Sequence, residues 1–157
     1  LLFDLLTPEE DQQYRNRFAI ERLEERLMAA TRWLTRVPEV RDLPVAYFGA
    51  STGAAAALKA AAHLRDVFAV VSRGGRPDLA IQELPLVQAA TLLIVGGEDE
   101  TVLELNRAAY EELKCQKKIE IIPGAGHLFE EAGELEAVAR LASAWFQKNM
   151  PVTSGAS

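Results

Sequence analysis

Three residue types that together perform acyl transfer occur in this chain in one order: a serine between glycines, an acid after a glycine pair, and a histidine in a small-residue loop. The serine sits in Tyr47-Phe48-Gly49-Ala50-Ser51-Thr52-Gly53-Ala54-Ala55, a G-x-S-x-G between an apolar run and an alanine-rich one. A strand that turns straight into a helix strains its pivot residue, so Gly49 and Gly53 are expected to supply room on either side of Ser51. The same turn would aim the Thr52 N–H, and the positive end of the following helix, at the place where an oxyanion forms.

A serine hydroxyl is a weak nucleophile until a histidine takes its proton, and the histidine needs a carboxylate to hold its tautomer. The chain has two histidines. His63 falls about three turns along the helix after Ser51 and reads as a surface residue favoured by the helix C-terminal dipole. His127 lies in Pro123-Gly124-Ala125-Gly126-His127-Leu128-Phe129, directly beyond an apolar run, and is the expected base. Asp99, in Gly96-Gly97-Glu98-Asp99-Glu100, is the expected acid, with Glu98 and Glu100 facing water or opening a helix. Taken singly, each has a plainer reading: a helix N-cap, a solvated loop histidine, solvated acids at a helix start. Their order is what points to chemistry, because each follows a different apolar run.

Other residues carry weaker signals. In Ser72-Arg73-Gly74-Gly75-Arg76, Arg73 or Arg76 could meet an anionic substrate group, or simply be solvated. The single cysteine, Cys115, has no partner base and reads as inert. Gly49 to Gly53 with Tyr110 and Lys114 superficially resembles the glycine turn and Y-x-x-x-K of short-chain dehydrogenases, but Ala55 replaces the third glycine and the tyrosine comes too soon. No Cys/His cluster has metal-ligand spacing, and neither metal nor cofactor is expected.

These groups need a scaffold that brings the ends of several runs together. Five short apolar runs read as strands: Leu1 to Leu6, Val45 to Phe48, Phe68 to Val71, Thr91 to Val95 and Ile119 to Ile122. Helical periodicity fills Arg17 to Thr35, Gly53 to Leu64, Thr101 to Leu113 and Glu134 to Gln147, with Trp33, Trp145 and Phe146 on apolar faces as expected core. Apolar strands separated by helices imply an α/β fold, a doubly wound, mostly parallel sheet of about five strands with helices on both faces. Residues 1–150 form one domain in this reading, and 151–157 a flexible tail. The net charge of −6, with both signs interspersed, argues against nucleic acid or anionic membrane and for a small-molecule substrate. Cytoplasmic localisation is the expectation.

The motifs Leu-Leu-Phe-Asp-Leu-Leu-Thr, Tyr-Phe-Gly-Ala-Ser-Thr-Gly-Ala-Ala, Leu-Ile-Val-Gly-Gly-Glu-Asp and Gly-Ala-Gly-His-Leu-Phe-Glu resemble the α/β-hydrolase superfamily, in its dienelactone-hydrolase-like branch. The resemblance implies Ser51 as nucleophile, His127 as general base and then acid, Asp99 as orienting carboxylate, and the Thr52 N–H as one oxyanion donor. Dienelactone hydrolases proper use cysteine where this chain has Ser51. The resemblance also makes Leu1 to Leu6 the fourth strand of a longer sheet, with the first three strands absent and the chain incomplete at its N-terminus. With them would go a second oxyanion donor, a loss typically of about 10²–10³ in rate. The missing third strand would lie between the first two runs here, so either Leu1 to Leu6 slides in beside Val45 to Phe48, or a second copy pairs with the exposed sheet edge. The expected function is a serine hydrolase of small esters, thioesters or lactones. The alternative is a truncated, non-catalytic binding or assembly module, or a fragment of a longer hydrolase.

Overall fold

The computed structural model describes residues 1–152 as a four-stranded sheet with helices on both faces. In chain order the elements are α1 (Pro8–Asp11), α2 (Ile20–Leu34), β1 (Val45–Ala50), α3 (Thr52–His63), β2 (Val67–Arg73), β3 (Ala90–Gly96), α4 (Glu100–Glu112), β4 (Lys117–Ile122) and α5 (Glu134–Asn149), with short 3-10 turns between some of them. The strands lie in the order β1-β2-β3-β4, and every neighbouring pair is parallel. Parallel order puts all four carboxyl ends on one edge, and the residues that could do chemistry lie just beyond those ends.

Two cores hold the sheet. On one face Val70 and Leu93 meet α3, α4 and α2 through Leu58, Ala109 and Leu23; on the other, Val71 and Ile94 meet α5 through Val138 and Trp145. Alanine forms helix readily and is small, so the run Ala54 to Ala57 lets α3 lie close against the sheet, fully buried. All seven residues of β3 are buried, as a strand covered on both faces must be. Trp145 packs as expected and donates its Nε1–H to the Ala90 carbonyl at 2.9 Å. Trp33 does not. It lies six residues past Leu27, about 120° round the helix from the packed face, and is 56% exposed.

The expected first strand is absent. Leu1 to Leu6 runs without strand pairing, and the sheet has four strands rather than five. A strand requires a partner about 4.8 Å away. Here a groove of about 620 Å³ separates this segment from the outer edge of β1, where Phe48 is half exposed. Leu5 and Leu6 instead pack on the core, and Arg26 of α2 donates to the Leu5 carbonyl at 2.8 Å. Thr7 and Glu10 then close a capping box that starts α1. The expected helix from Arg17 begins only at Ile20, because Ala19 (φ −78°, ψ 67°) breaks the helical path after a 3-10 turn at Tyr14–Phe18. Among the described residues no helix is long and apolar enough to cross a membrane. Of the expected tail 151–157, residues 153–157 lie outside the described residues.

Candidate active site

Ser51 alone makes the turn from β1 into α3, at φ +50° and ψ −123°. A positive φ is strained for any residue with a side chain and persists only where the surroundings enforce it. Two backbone bonds do so: the Ser51 N–H donates to the Arg73 carbonyl at 3.3 Å, and the Arg76 N–H donates to the Ser51 carbonyl at 3.1 Å. Gly49 meets its expected role, since a Cβ there would sit 2.6 Å from the Gly53 carbonyl oxygen and 2.7 Å from Ala54 Cα. Gly53 does not need to be small, as a Cβ added there would meet nothing within 4 Å. Thr52 is the first residue of α3, so its N–H has no intrahelical acceptor and remains available to an anion.

Asp99 and His127 are brought together by two loops zipped along their backbones. The Gly97 N–H donates to the Ile122 carbonyl at 2.9 Å and the Glu98 N–H to the Ala125 carbonyl at 3.0 Å. Beyond these bonds Asp99 Oδ2 accepts a hydrogen bond from His127 Nδ1 at 2.7 Å. Asp99 occupies the N-cap position of α4 without capping it, because its carboxylate is turned to the histidine. A proton on Nδ1, donated to the carboxylate, leaves Nε2 of a neutral imidazole as an acceptor. Glu98 and Glu100 face solvent.

Ser51 and His127 flank the same short turn at the end of β2. A Cβ on Gly74 (φ +50°) would lie 3.3 Å from the His127 carbonyl oxygen and 3.6 Å from its Cε1. Behind the histidine, Phe129 is buried at φ +56°, a second strained residue, and its ring anchors the loop in the core beneath α5. Among the described residues the Ser51 hydroxyl has no hydrogen-bond partner, so the structure does not close a bond from it to His127.

The two arginines separate in role. Arg76 forms a bidentate pair with Asp78, both bonds 2.8 Å, which raises its already high pKa further. Arg73 lies with its guanidinium 5.6 Å from the Phe129 ring centroid, and among the described residues no carboxylate pairs with it. His63 is remote from the site, but is more than a dipole-favoured surface residue: its Nδ1 lies 2.7 Å from Oε1 of the buried Glu24. Cys115 precedes β4, at the opposite end of the sheet from Ser51. The groove along β1 reaches Thr52 and Gly53 at its upper end, while Asp99 and His127 do not line it.

Sequence reasoning missed Gly74 and Phe129. Consecutive glycines directly after a strand are a signal for positive φ, and Gly74-Gly75 carries it. No local signal marks Phe129, because its backbone is set by what lies beneath it.

The dienelactone hydrolase family model matches residues 7–150. The chain belongs to the dienelactone hydrolase family. The crystal structure of a dienelactone hydrolase from Anabaena variabilis ATCC 29413 is 56% identical to this family member, with a TM-score of 0.90, over 94% of this chain and 71% of that one. The esterase domain of a Rhodothermus marinus protein shares the fold at 22% identity (TM-score 0.69), over 80% of this chain and 68% of that one. A Mycobacterium tuberculosis (strain ATCC 25618 / H37Rv) protein that carries the provisional name phosphoribosyl transferase is 58% identical over 147 residues, 93% of this chain but 33% of its own length. The chain thus spans about a third of the curated relatives it matches.

Proposed function

We propose that this dienelactone hydrolase family member is a serine-dependent hydrolase of small esters, thioesters or lactones. The observation that carries the reading is Ser51 held at φ +50° on a strand-to-helix turn, on the same sheet edge as a 2.7 Å Asp99–His127 pair. In this mechanism Ser51 Oγ attacks the acyl carbon while its proton passes to His127 Nε2. The Thr52 N–H donates to the oxyanion, and the pair with Asp99 stabilises the imidazolium. His127 then protonates the leaving alcohol, thiol or ring oxygen, leaving an acyl-serine. Water, deprotonated by His127, releases the acid and restores the hydroxyl.

The substrate in this proposal is a small molecule, and Arg73, held only by a 3.5 Å bond to the Leu128 carbonyl and by the Phe129 ring, would meet an anionic part of it rather than Arg76, which Asp78 already occupies. The open outer edge of β1 would take a second copy of the chain. The transferase name belongs to proteins about three times as long as the matched segment, and nearly all of this chain is accounted for by the hydrolase family model. We therefore assign hydrolase chemistry, not the transferase activity, to this chain.

Labelling with a fluorophosphonate serine probe, followed by peptide mass spectrometry, tests the reading. Modification of Ser51 that disappears in His127→Ala is the expected result. A folded chain whose Ser51 stays unmodified would leave the non-catalytic module as the better description.

A further inference from the structure

Behind the site lies a buried side chain that the acyl-transfer reading does not use. Asn106 of α4 is fully buried, and its Nδ2 donates to the Gly75 carbonyl at 3.0 Å and the Val102 carbonyl at 2.8 Å. Two carbonyls on one end of the amide identify that end as the nitrogen, since an oxygen there would be repelled by both. Its Oδ1 is buried without a partner among the described residues, so the amide carries a desolvation cost that an apolar side chain of the same size would avoid. The bond to Val102 joins residues one helical turn apart. The bond that reaches out of α4 is the one to Gly75.

Gly75 belongs to the turn 73–76, which touches both sides of the site. Its Arg73 carbonyl and Arg76 N–H hold the backbone of Ser51, its Gly74 N–H donates to the Ile94 carbonyl at 2.8 Å, and Gly74 lies directly against His127. The helix that holds this turn also follows directly on Asp99, which binds His127. One rigid element therefore grips the histidine at its start and, about two turns later, the support of the serine.

We propose that Asn106 is a positioning residue, which by fastening the turn 73–76 to α4 sets the separation between Ser51 Oγ and His127 Nε2. The proposal rests on the hydrolase reading of those two residues. A displacement of about 1 Å at a reacting group costs on the order of 10²-fold in rate, so a loosened turn would be felt in turnover before it is felt in substrate affinity.

The test compares Asn106→Leu with Thr91→Val in the full chain. Thr91 is equally buried, and its hydroxyl donates to the Ala89 carbonyl at 3.0 Å at the amino end of β3, far from Ser51. With p-nitrophenyl acetate, Asn106→Leu should lower kcat about 10- to 100-fold with KM held within about twofold, while Thr91→Val lowers stability and keeps kcat. Amide hydrogen exchange gives a readout that needs no turnover: the Gly74 and Arg76 N–H groups should lose protection in Asn106→Leu and keep it in Thr91→Val. Unchanged exchange at those two amides overturns the proposal, as does an unchanged kcat or an equal loss of kcat in Thr91→Val. If the unmodified chain hydrolyses no ester, it is the hydrolase reading that fails, and the exchange measurement still decides whether Asn106 holds the turn. Asn106→Ser, which leaves room for a water molecule, replaces the leucine variant if that one does not fold.

Discussion

At Ser51 the backbone works against the residue it carries. A side chain at φ +50° and ψ −123° stores about 1–3 kcal/mol of strain, and the hydroxyl recovers none of it through a hydrogen bond among the described residues. Glycine tolerates the same angles but loses more freedom on folding, by about 0.5–1 kcal/mol. Ser51→Gly is therefore expected to raise stability in denaturant unfolding, by up to about 2 kcal/mol, while abolishing probe labelling. A variant that is less stable than the parent would show that the serine side chain is held by contacts this structure lacks.

The elements are coupled by a few polar ties. Glu10, at the third position of α1, is held by Arg26 of α2, with Nη2 donating to Oε1 at 2.7 Å. That bond, helped by the Thr7 N–H, lowers the Glu10 pKa from 4.5 to about 2. A depressed carboxylate pKa stabilises the folded state above the unfolded value and ceases to do so as pH falls through the folded one. The tie between the 1–11 segment and α2 should thus be complete above pH 4.5 and lost on approach to pH 2, with no change across neutral pH. Carbon-detected NMR titration of the Glu10 carboxyl checks this, and Arg26→Met should raise its midpoint towards the ordinary carboxylate range while the Thr7 N–H still holds it below. A midpoint unmoved by that substitution would place the cause elsewhere than Arg26.

Across the whole molecule, burial is concentrated in the sheet's interior strands, β2 and β3, and thins towards the edge strands β1 and β4. Leu93 of β3 is fully enclosed beneath the helices, whereas Phe48 of β1 is 50% exposed in the groove. Leu93→Ala should cost about 2–5 kcal/mol in denaturant unfolding, through lost burial and the cavity left behind. Phe48→Ala should cost under about 1 kcal/mol in the same measurement, as surface substitutions usually do. Comparable losses at the two positions would mean that β1 is covered in solution, by another copy or another segment.

Most of the elements were legible because their signals are local. Apolar runs such as Thr91 to Val95 and the periodic helices follow from side-chain spacing, and a glycine two residues before a serine at a strand-to-helix junction requires close helix approach wherever it occurs. Asp99 and His127 were legible as a pair because parallel strands must deliver their carboxyl ends to one edge. Pairing and burial were not, since both depend on what lies across space. Leu1 to Leu6 has a strand's composition and no hydrogen-bonding neighbour; Trp33 has a core residue's chemistry on the wrong side of its helix. Phe129 and Asn106 look ordinary in sequence, and only the tertiary structure could show that one is strained beneath the histidine loop and the other reaches from α4 to the serine's support.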